Sequence, residues 1–153
     1  MDEPKEKTVK REAPEVRERY PHFLKVPTRW MDNDVYGHVN NVVYYSFFDT
    51  VVNEYLIRSG ALDIEKSPVI GLVVETQCRY FAPITFPDDI HAGLRVARLG
   101  RSSVRYEIGL FKNDDASAAA QGHFVHVYVE RESRKATALP PEMRAALERL
   151  LVG

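Results

Sequence analysis

The segment from Asn40 to Gly60, NNVVYYSFFDTVVNEYLIRSG, constrains the fold more than any other part of the chain. Its ends suit a helix, because Asn40 or Asn41 is a good N-cap and Gly60 a good residue after the C-terminus. Apolar side chains cover most of its circumference: Val42, Val43, Tyr44, Tyr45, Phe47, Phe48, Val51, Val52, Tyr55, Leu56 and Ile57. Since a helix that is apolar nearly all round is a buried helix, the rest of the chain has to cover it.

The residues that follow this helix predict strands. After Pro68 the apolar side chains recur at every second position, which is the period of a β-strand. One long strand, ending before Pro83, places five residues on one face: Ile70, Leu72, Val74, Cys78 and Tyr80. Further strands are predicted at 90–96, 104–110 and 118–130, and a short strand at 23–29 precedes the helix. Pro140-Pro141 opens a short C-terminal helix.

This order of elements predicts an α+β fold, because strands that come in a run do not form the alternating units of a parallel sheet. An antiparallel sheet curled around the one long helix buries that helix economically. We predict a single domain over residues 21–153. Residues 1–20 mix both charge signs and offer little to bury, which indicates a flexible tail or a loosely docked extension.

Composition narrows the class of protein. A formal charge of −1 gives no overall attraction to nucleic acid or to an anionic membrane, so we expect neither partner. A single cysteine, Cys78, excludes an intramolecular disulfide and a cysteine-based zinc site. The N-terminus is charged throughout, and no stretch is apolar over the length that a membrane span requires. We therefore expect a cytoplasmic protein.

The chemistry is concentrated just before the helix. Residues 32–41 contain Asp32, Asp34, His38, Asn40 and Asn41, a density of polar groups that is costly at the edge of an apolar core. The start of a helix presents unpaired N–H groups and positive potential, which favour an oxygen that gains negative charge. A carboxylate shortly before such a helix could face the carbonyl carbon of that oxygen. This combination is what acyl transfer requires.

Three other interpretations of the same residues compete with this one. A calcium loop starting at Asp32 would need a glutamate at its twelfth position, where the chain has Val43. Another metal held by Asp32, Asp34 and His38 would lack a second nearby histidine, so we expect no metal and no cofactor. Turn and cap roles, which are common for aspartate and asparagine, stay open for Asp32 and Asn40.

The pattern Asp-x-Asp-x-x-Gly-His-Val-Asn-Asn-x-x-Tyr over residues 32–44 resembles the signature of the 4-hydroxybenzoyl-CoA thioesterase family of hotdog proteins. The resemblance extends over about residues 23–140 and includes Arg-Tyr-Phe-Ala-Pro at 79–83 and Leu-Gly-Arg-Ser-Ser-Val at 99–104. It implies a curved antiparallel sheet around the helix and homodimers that share active sites, often assembled into homotetramers. It also implies hydrolysis of an acyl-CoA, although the pattern is poorly specific for the acyl group.

Matching the motif residue by residue assigns roles to several positions. The resemblance makes Asp34 the carboxylate that attacks the thioester or activates water, and the backbone N–H near Asn41 the group that polarises the thioester carbonyl. His38 aligns with a position that varies in the family, and Gly37 suits a tight turn. The expected contacts to substrate are Asn40, Tyr44 and the turn of Arg101, Ser102 and Ser103, the last three toward CoA.

Other reactive side chains receive plainer interpretations. Cys78 is expected to be a small core residue. Asp49 on the helix is a fallback base, although we expect it to be a hydrogen-bonded core or pocket residue. His123 and His126 fall on opposite faces of one strand and His91 on another strand, so no shared metal face is predicted. A run of arginines around one turn, Arg95, Arg98, Arg101 and Arg105, is either a solvated edge or a contact for CoA phosphates.

Two other functions compete with acyl-CoA hydrolysis. The first is a non-catalytic acyl-CoA-binding module on the same fold, and the second is a hotdog hydratase or dehydratase. The sequence leaves several choices open: an acyl-carrier protein in place of CoA, nucleophilic or general-base catalysis by Asp34, and a homodimer or a homotetramer.

Overall fold

A computed structural model describes residues 12–152. Five strands and two helices occur in the order β1 (His22–Pro27), α1 (Asn41–Arg58), β2 (Val69–Tyr80), β3 (Asp89–Leu99), β4 (Ser103–Lys112), β5 (Ala120–Glu130) and α2 (Pro141–Glu148). The strands form one antiparallel sheet in the order β1-β3-β4-β5-β2. The inner face of this sheet packs against α1, as the 5.4 Å separation of the Phe48 and Phe124 rings shows. The predicted α+β fold, an antiparallel sheet around one long helix, is confirmed.

Helix α1 begins and ends as the sequence predicts. The side-chain oxygen of Asn40 accepts a hydrogen bond from the N–H of Val42 at 3.1 Å, which makes Asn40 the N-cap. After the last turn the chain leaves the helix through Gly60 at φ +77°, a conformation that glycine adopts at little cost. The cap role that the sequence left open for Asn40 is therefore confirmed.

Helix α1 is not buried on all sides. Its buried side chains are Tyr44, Phe47, Phe48, Val51, Val52 and Leu56. An opposite stripe is solvent-exposed and includes Ser46, Asp49 and Thr50. Val42 is 72% exposed at one end of this stripe and Ile57 is 42% exposed at the other. The prediction of burial all round is wrong for a single chain, because the sheet covers only one side of the helix.

Strand β2 differs from the prediction because it contains a β-bulge. Its register with β5 shifts between Val73 and Glu75, and the residue between them is left unpaired. One extra residue reverses which face each following side chain takes. Consequently Cys78 and Tyr80 lie on the inner face and Leu72 on the outer face. The prediction that Ile70, Leu72, Val74, Cys78 and Tyr80 share one face is wrong.

Strand β2 is also an edge of the sheet, with β5 as its neighbour on the other side. Most of its residues are exposed, including the apolar Leu72 at 37%, Val73 at 48% and Val74 at 60%. Unpaired main-chain groups beside exposed valines form a surface that a further strand would cover.

The segment of residues 12–20 crosses the outer face of the sheet. The N–H of Glu15 donates to the side-chain oxygen of Gln121 at 2.7 Å, and the Gln121 amide donates to the backbone oxygen of Ala13. The ring of Tyr20 fills a slot left by Gly93 and Gly109, where a Cβ would lie within 2.8 Å of the tyrosine side chain. This part of the predicted extension is thus held on the sheet, while residues 1–11 lie outside the described residues.

Candidate active site

The segment between β1 and α1 forms a tight hairpin. The N–H of Asp34 donates to the oxygen of His38 at 2.9 Å, and the N–H of Gly37 donates to the oxygen of Asp34 at 3.0 Å. Gly37 has φ +80°, a left-handed conformation that supports the role predicted for it in a tight turn. The hairpin therefore brings Asp34 and His38 to opposite positions at its base, with Tyr36 exposed at the tip.

The carboxylate of Asp34 is half-buried and only partly engaged. Its Oδ1 accepts a hydrogen bond from the N–H of Tyr36 at 2.8 Å, which forms an Asx turn. The other oxygen accepts no hydrogen bond from residues 12–152. One carboxylate oxygen is thus fixed by the loop, and the second is not engaged by the described residues.

Asp32 has a structural role. It is 1% exposed, and its Oδ2 accepts from the N–H of Arg29 at 2.7 Å while its Oδ1 accepts from the Arg29 guanidinium at 2.8 Å. The backbone oxygen of Asp32 accepts from the N–H of Asn40 at 2.9 Å. Both carboxylate oxygens are therefore engaged, which confirms the turn and cap interpretation for this residue. In residues 12–152, no three His, Cys, Asp or Glu side chains are grouped to hold a metal ion.

The N–H groups at the start of α1 are only partly hydrogen bonded. Val42 donates to the side chain of Asn40, and Val43 donates to the backbone oxygen of Asn40 at 2.9 Å. The N–H of Asn41 makes no hydrogen bond within the described part of the chain. It lies at the positive end of the helix dipole, so it is suited to bind an oxygen that gains negative charge.

A cleft of about 250 Å³ lies beside this N–H group, between the helix start and the end of β2. Its walls are formed by His38, Val39, Asn41, Tyr44, Tyr80, Phe81, Ala82 and Pro83. Three residues predicted for the site, His38, Asn41 and Tyr44, therefore come together. Asp34 lies opposite His38 at the base of the hairpin and does not line the cleft.

Tyr80 is a cleft residue that the sequence did not single out for function. Its hydroxyl donates to the backbone oxygen of Asn41 at 3.5 Å, and its ring packs edge-on against Tyr44 at 4.8 Å. Burial raises the pKa of Tyr80 and raises the pKa of Tyr44 to about 12, so both hydroxyls stay protonated at neutral pH. The Arg-Tyr-Phe-Ala-Pro stretch at 79–83 contains this residue, but in the sequence it indicated only the resemblance to the family and not a role for Tyr80.

Cys78, next to this cleft on β2, is half-buried, and burial raises the pKa of its thiol to about 11. A neutral thiol is a poor nucleophile, which supports the expectation of a packing residue. Asp49 is exposed on α1, and its carboxylate accepts no hydrogen bond from residues 12–152. Desolvation nevertheless raises its pKa. The expectation of a hydrogen-bonded core residue is therefore wrong for Asp49.

The predicted CoA-binding turn of Arg101, Ser102 and Ser103 lies elsewhere in the same chain. The amine of Lys112, at the end of β4, donates to the oxygen of Pro83 at 3.3 Å and so marks the cleft end of that strand. Ser103 begins β4 nine residues earlier, which places it roughly 30 Å away along the strand. One chain therefore does not bring this turn to Asp34.

Part of the predicted arginine run also serves another purpose. The Arg95 guanidinium binds Glu107 at 2.8 Å and Glu15 at 3.1 Å on the outer face of the sheet. Arg105 lies on the same face and contacts Glu107 at 3.3 Å. These two arginines are thus engaged by acidic side chains, while Arg101 is exposed in its turn.

The histidines do not converge. His123 lies on the outer face, 3.1 Å from Glu75, while His126 is buried on the inner face. His91 contacts Arg17 at 2.7 Å. The prediction that His123 and His126 occupy opposite faces of β5 is confirmed.

Comparison with known proteins agrees with this geometry. A family model described as the thioesterase-like superfamily matches residues 26–147. The chain belongs to the thioesterase-like superfamily. Superfamily membership supports a thioester hydrolase. The finer assignment to the 4-hydroxybenzoyl-CoA family rests on the motif.

Solved structures with the same fold include two from Pseudomonas aeruginosa. The PA5185 protein is 57% identical with a TM-score of 0.89, covering 93% of this chain and 99% of its own. The PA2801 protein is 30% identical with a TM-score of 0.77, covering 82% of this chain and 96% of its own. The DHNA-CoA thioesterase of Staphylococcus aureus shares the fold at 19% identity and a TM-score of 0.75, covering 83% and 88%. These matches place this superfamily member among hotdog proteins.

None of the helices described within residues 12–152 is both long enough and apolar enough to cross a bilayer.

Proposed function

We propose that this protein is an acyl-CoA thioesterase of the 4-hydroxybenzoyl-CoA type. The observation that carries the proposal is the open N–H of Asn41 at the start of α1, on a helix whose N-cap is hydrogen bonded to the loop that holds Asp34. This pairs an electrophile-polarising group with a carboxylate that has one free oxygen. Superfamily membership adds the class of reaction, thioester hydrolysis.

In the proposed reaction the thioester carbonyl oxygen accepts a hydrogen bond from the Asn41 N–H. The free oxygen of Asp34 then follows one of two routes. It attacks the carbonyl carbon and forms an acyl anhydride that water hydrolyses, or it removes a proton from water as that water attacks. In either route the carbon–sulfur bond breaks, CoA leaves as its thiol after protonation, and the acyl group leaves as a carboxylate. We assign Tyr44, which lines the cleft, and Asn40, which caps the helix, as substrate contacts, and His38 as a residue that shapes the hairpin.

The proposed site is completed by a second copy of the chain. If two β2 edges pair antiparallel about a two-fold axis, the Tyr80 end of one strand lies beside the Val69 end of the other. The Val69 end neighbours the Arg101–Ser103 turn, because Val69 pairs with Glu130 and Ser103 pairs with Val127 on β5. The second copy would thus bring its Arg101–Ser103 turn to the Asp34 end of the first. This arrangement makes the protein a homodimer or a homotetramer of such dimers.

A coenzyme A thioester is the proposed substrate. The guanidinium of Arg101 and the hydroxyls of Ser102 and Ser103 are suited to phosphate and pantetheine oxygens. The Staphylococcus aureus protein with the same fold is named a DHNA-CoA thioesterase, so this fold accommodates a CoA ester. An acyl-carrier protein would present the same pantetheine and is the alternative donor.

The decisive experiment measures thiol release from a panel of acyl-CoA esters and acyl-carrier proteins. We compare the wild-type protein with Asp34→Ala and use Asp114→Ala, an exposed turn residue, as the matched control. We expect Asp34→Ala to lose at least about a hundredfold in kcat while Asp114→Ala is unchanged. Near-full activity in Asp34→Ala would contradict the assigned mechanism. Release of no thiol by the wild type from any ester would favour the acyl-CoA-binding module.

A further inference from the structure

His126 is the buried residue that the proposed reaction does not use. It is 5% exposed on the inner face of β5, and its Nε2 is the one buried side-chain nitrogen or oxygen in residues 12–152 without a hydrogen-bond partner. Aromatic rings surround it: Tyr106 at 5.0 Å, Phe124 stacked at 5.5 Å and Tyr128 at 6.1 Å. A phenyl ring would fill this space without an unpaired polar atom, so packing alone does not account for an imidazole here.

Nearby polar groups do not complete the imidazole. The hydroxyls of Tyr106 and Tyr128 hydrogen bond to each other at 2.6 Å. Neither of them is paired with His126. The ring therefore keeps an unused hydrogen-bonding capacity among aromatic neighbours, in surroundings of low polarity where one added hydrogen bond has a large effect.

The imidazole leans toward the open edge of the sheet. Its partner across the ladder is Val73 on β2, which is 48% exposed. Its Nδ1 lies 3.1 Å from the point that a Cβ on Gly71 would occupy. His126 thus overhangs the inner side of the edge strand, where Gly71 leaves room for it.

This inner side of β2 continues from the cleft at the helix start. Tyr80 lines the cleft, and Cys78 and the exposed Thr76 and Val73 follow along the strand. Tyr80 pairs with Ala120 and Val73 with His126, so six residues of β5, roughly 20 Å, separate the two ends. An extended acyl chain whose thioester sits at Asn41 has this length available before it meets the imidazole.

We propose that His126 is a specificity-determining residue, which hydrogen bonds a hydroxyl or oxo oxygen that the acyl chain carries far from the thioester. This inference rests on the proposed function, since it uses the thioester position assigned there. The substrate class becomes a medium-chain to long-chain acyl thioester with a polar group toward its end. A fully apolar chain would leave the imidazole unpaired and bind less well.

The test measures binding, so that it does not depend on turnover. Non-hydrolysable CoA thioethers with alkyl chains from octyl to hexadecyl are made in matched pairs, one ending in a methyl group and one in a hydroxyl. Calorimetry gives Kd for each pair with the wild-type protein, His126→Phe and His126→Asn. His123→Phe, a histidine on the outer face of the same strand, is the matched control.

At one chain length or more, we expect the wild type and His123→Phe to bind the hydroxyl-ended compound at least about tenfold tighter than its methyl partner. That ratio falls to about one in His126→Phe and is partly kept in His126→Asn, which retains hydrogen-bonding groups. Circular dichroism and thermal unfolding identify a variant that does not fold, and His126→Leu then replaces it.

Three results overturn the assignment: no wild-type preference at any chain length, a preference that survives in His126→Phe, or no binding of any thioether. Failure of the proposed function is recognised separately. A wild-type protein that shows the preference but releases no thiol from the corresponding thioesters would refute hydrolysis and leave the role of His126 in place.

Discussion

The backbone N–H of Asn40 donates to the backbone oxygen of Asp32 at 2.9 Å, which closes the hairpin of Asp34 onto the start of α1. The Asp32 carboxylate is itself held by Arg29, so the closure has a fixed base. Hydrogen bonds therefore hold the hairpin of Asp34 in a fixed position relative to the open N–H of Asn41. The proposed reaction, in which both groups act on one carbonyl, needs this fixed relation, because small displacements cost much of the rate.

Replacing Asn41 by proline tests the proposed oxyanion contact. Asn41 is the first residue of α1, a position where proline is favoured, and Asn40 has the extended conformation (φ −63°, ψ 141°) that proline requires before it. The substitution removes the N–H and keeps the helix. We expect kcat for thioester hydrolysis to fall about 10²–10³-fold with little change in thermal stability.

Asn41→Ala is the control for that experiment. It removes the side chain and keeps the N–H, so we expect kcat to stay within a few-fold of the wild type. Equal losses in the alanine and proline variants would assign the effect to the side chain, and unchanged kcat in Asn41→Pro would refute the oxyanion contact. Urea unfolding of both variants checks that the helix start is preserved.

The fold was predictable where a local pattern controlled it. The Asn40 cap, the exit of α1 at Gly60 and the antiparallel strands follow from neighbouring residues. The faces of β2 were not predictable, because the bulge at Val74 depends on pairing with a strand some 50 residues later. The exposed stripe of α1 was not predicted either. Apolar residues around a helix do not show whether the same chain or another chain buries them.

The candidate site was predictable only in part for the same reason. His38, Asn41 and Tyr44 are close in sequence, and one turn and one helix start bring them together. Tyr80 joins them through the sheet, and no short-range signal gives that contact. The burial of His126 without a hydrogen-bond partner could not be predicted from the sequence, because it results from the tertiary packing of three aromatic rings around the imidazole.

The stability of the protein should depend on pH through His126. Burial lowers the pKa of this imidazole from 6.5 to about 4. Between these values the unfolded chain binds a proton that the folded chain does not, so the free energy of unfolding decreases as pH falls from 6.5 to 4. The loss of stability reaches roughly 3 kcal/mol near pH 4 and is absent above pH 6.5.

Urea unfolding at a series of pH values measures this effect. His126→Phe should lose less stability than the wild type over that window, so the difference between the two unfolding free energies should grow as pH falls. Val35→Ala, which changes an exposed side chain that does not titrate, should follow the wild-type curve. Parallel curves for the wild type and His126→Phe would show that His126 does not titrate as its burial implies.

The slot under Tyr20 predicts a strong coupling between two positions. A Cβ at Gly109 would lie 2.7 Å from the Tyr20 ring, so Gly109→Ala should displace that ring and destabilise the fold by about 1–3 kcal/mol. In a Tyr20→Ala background the same methyl group meets no ring, and most of its cost should disappear. A double-mutant cycle of unfolding free energies measures the coupling. Additive effects would mean that Tyr20 does not occupy the slot in solution.

Mixing two impaired variants tests whether the proposed active site is shared between copies. Asp34→Ala removes the proposed carboxylate, and Arg101→Ala weakens the proposed contact to CoA, which lies roughly 30 Å away in the same chain. In a mixed dimer both changes fall in one site and the other site is intact. Since random exchange makes half of the dimers mixed, the mixture should recover about a quarter of wild-type activity at low substrate concentration. Each variant incubated alone is the control. If the activity of the mixture stays at the mean of the two variants' separate activities, Arg101 does not contribute to the active site of a second copy.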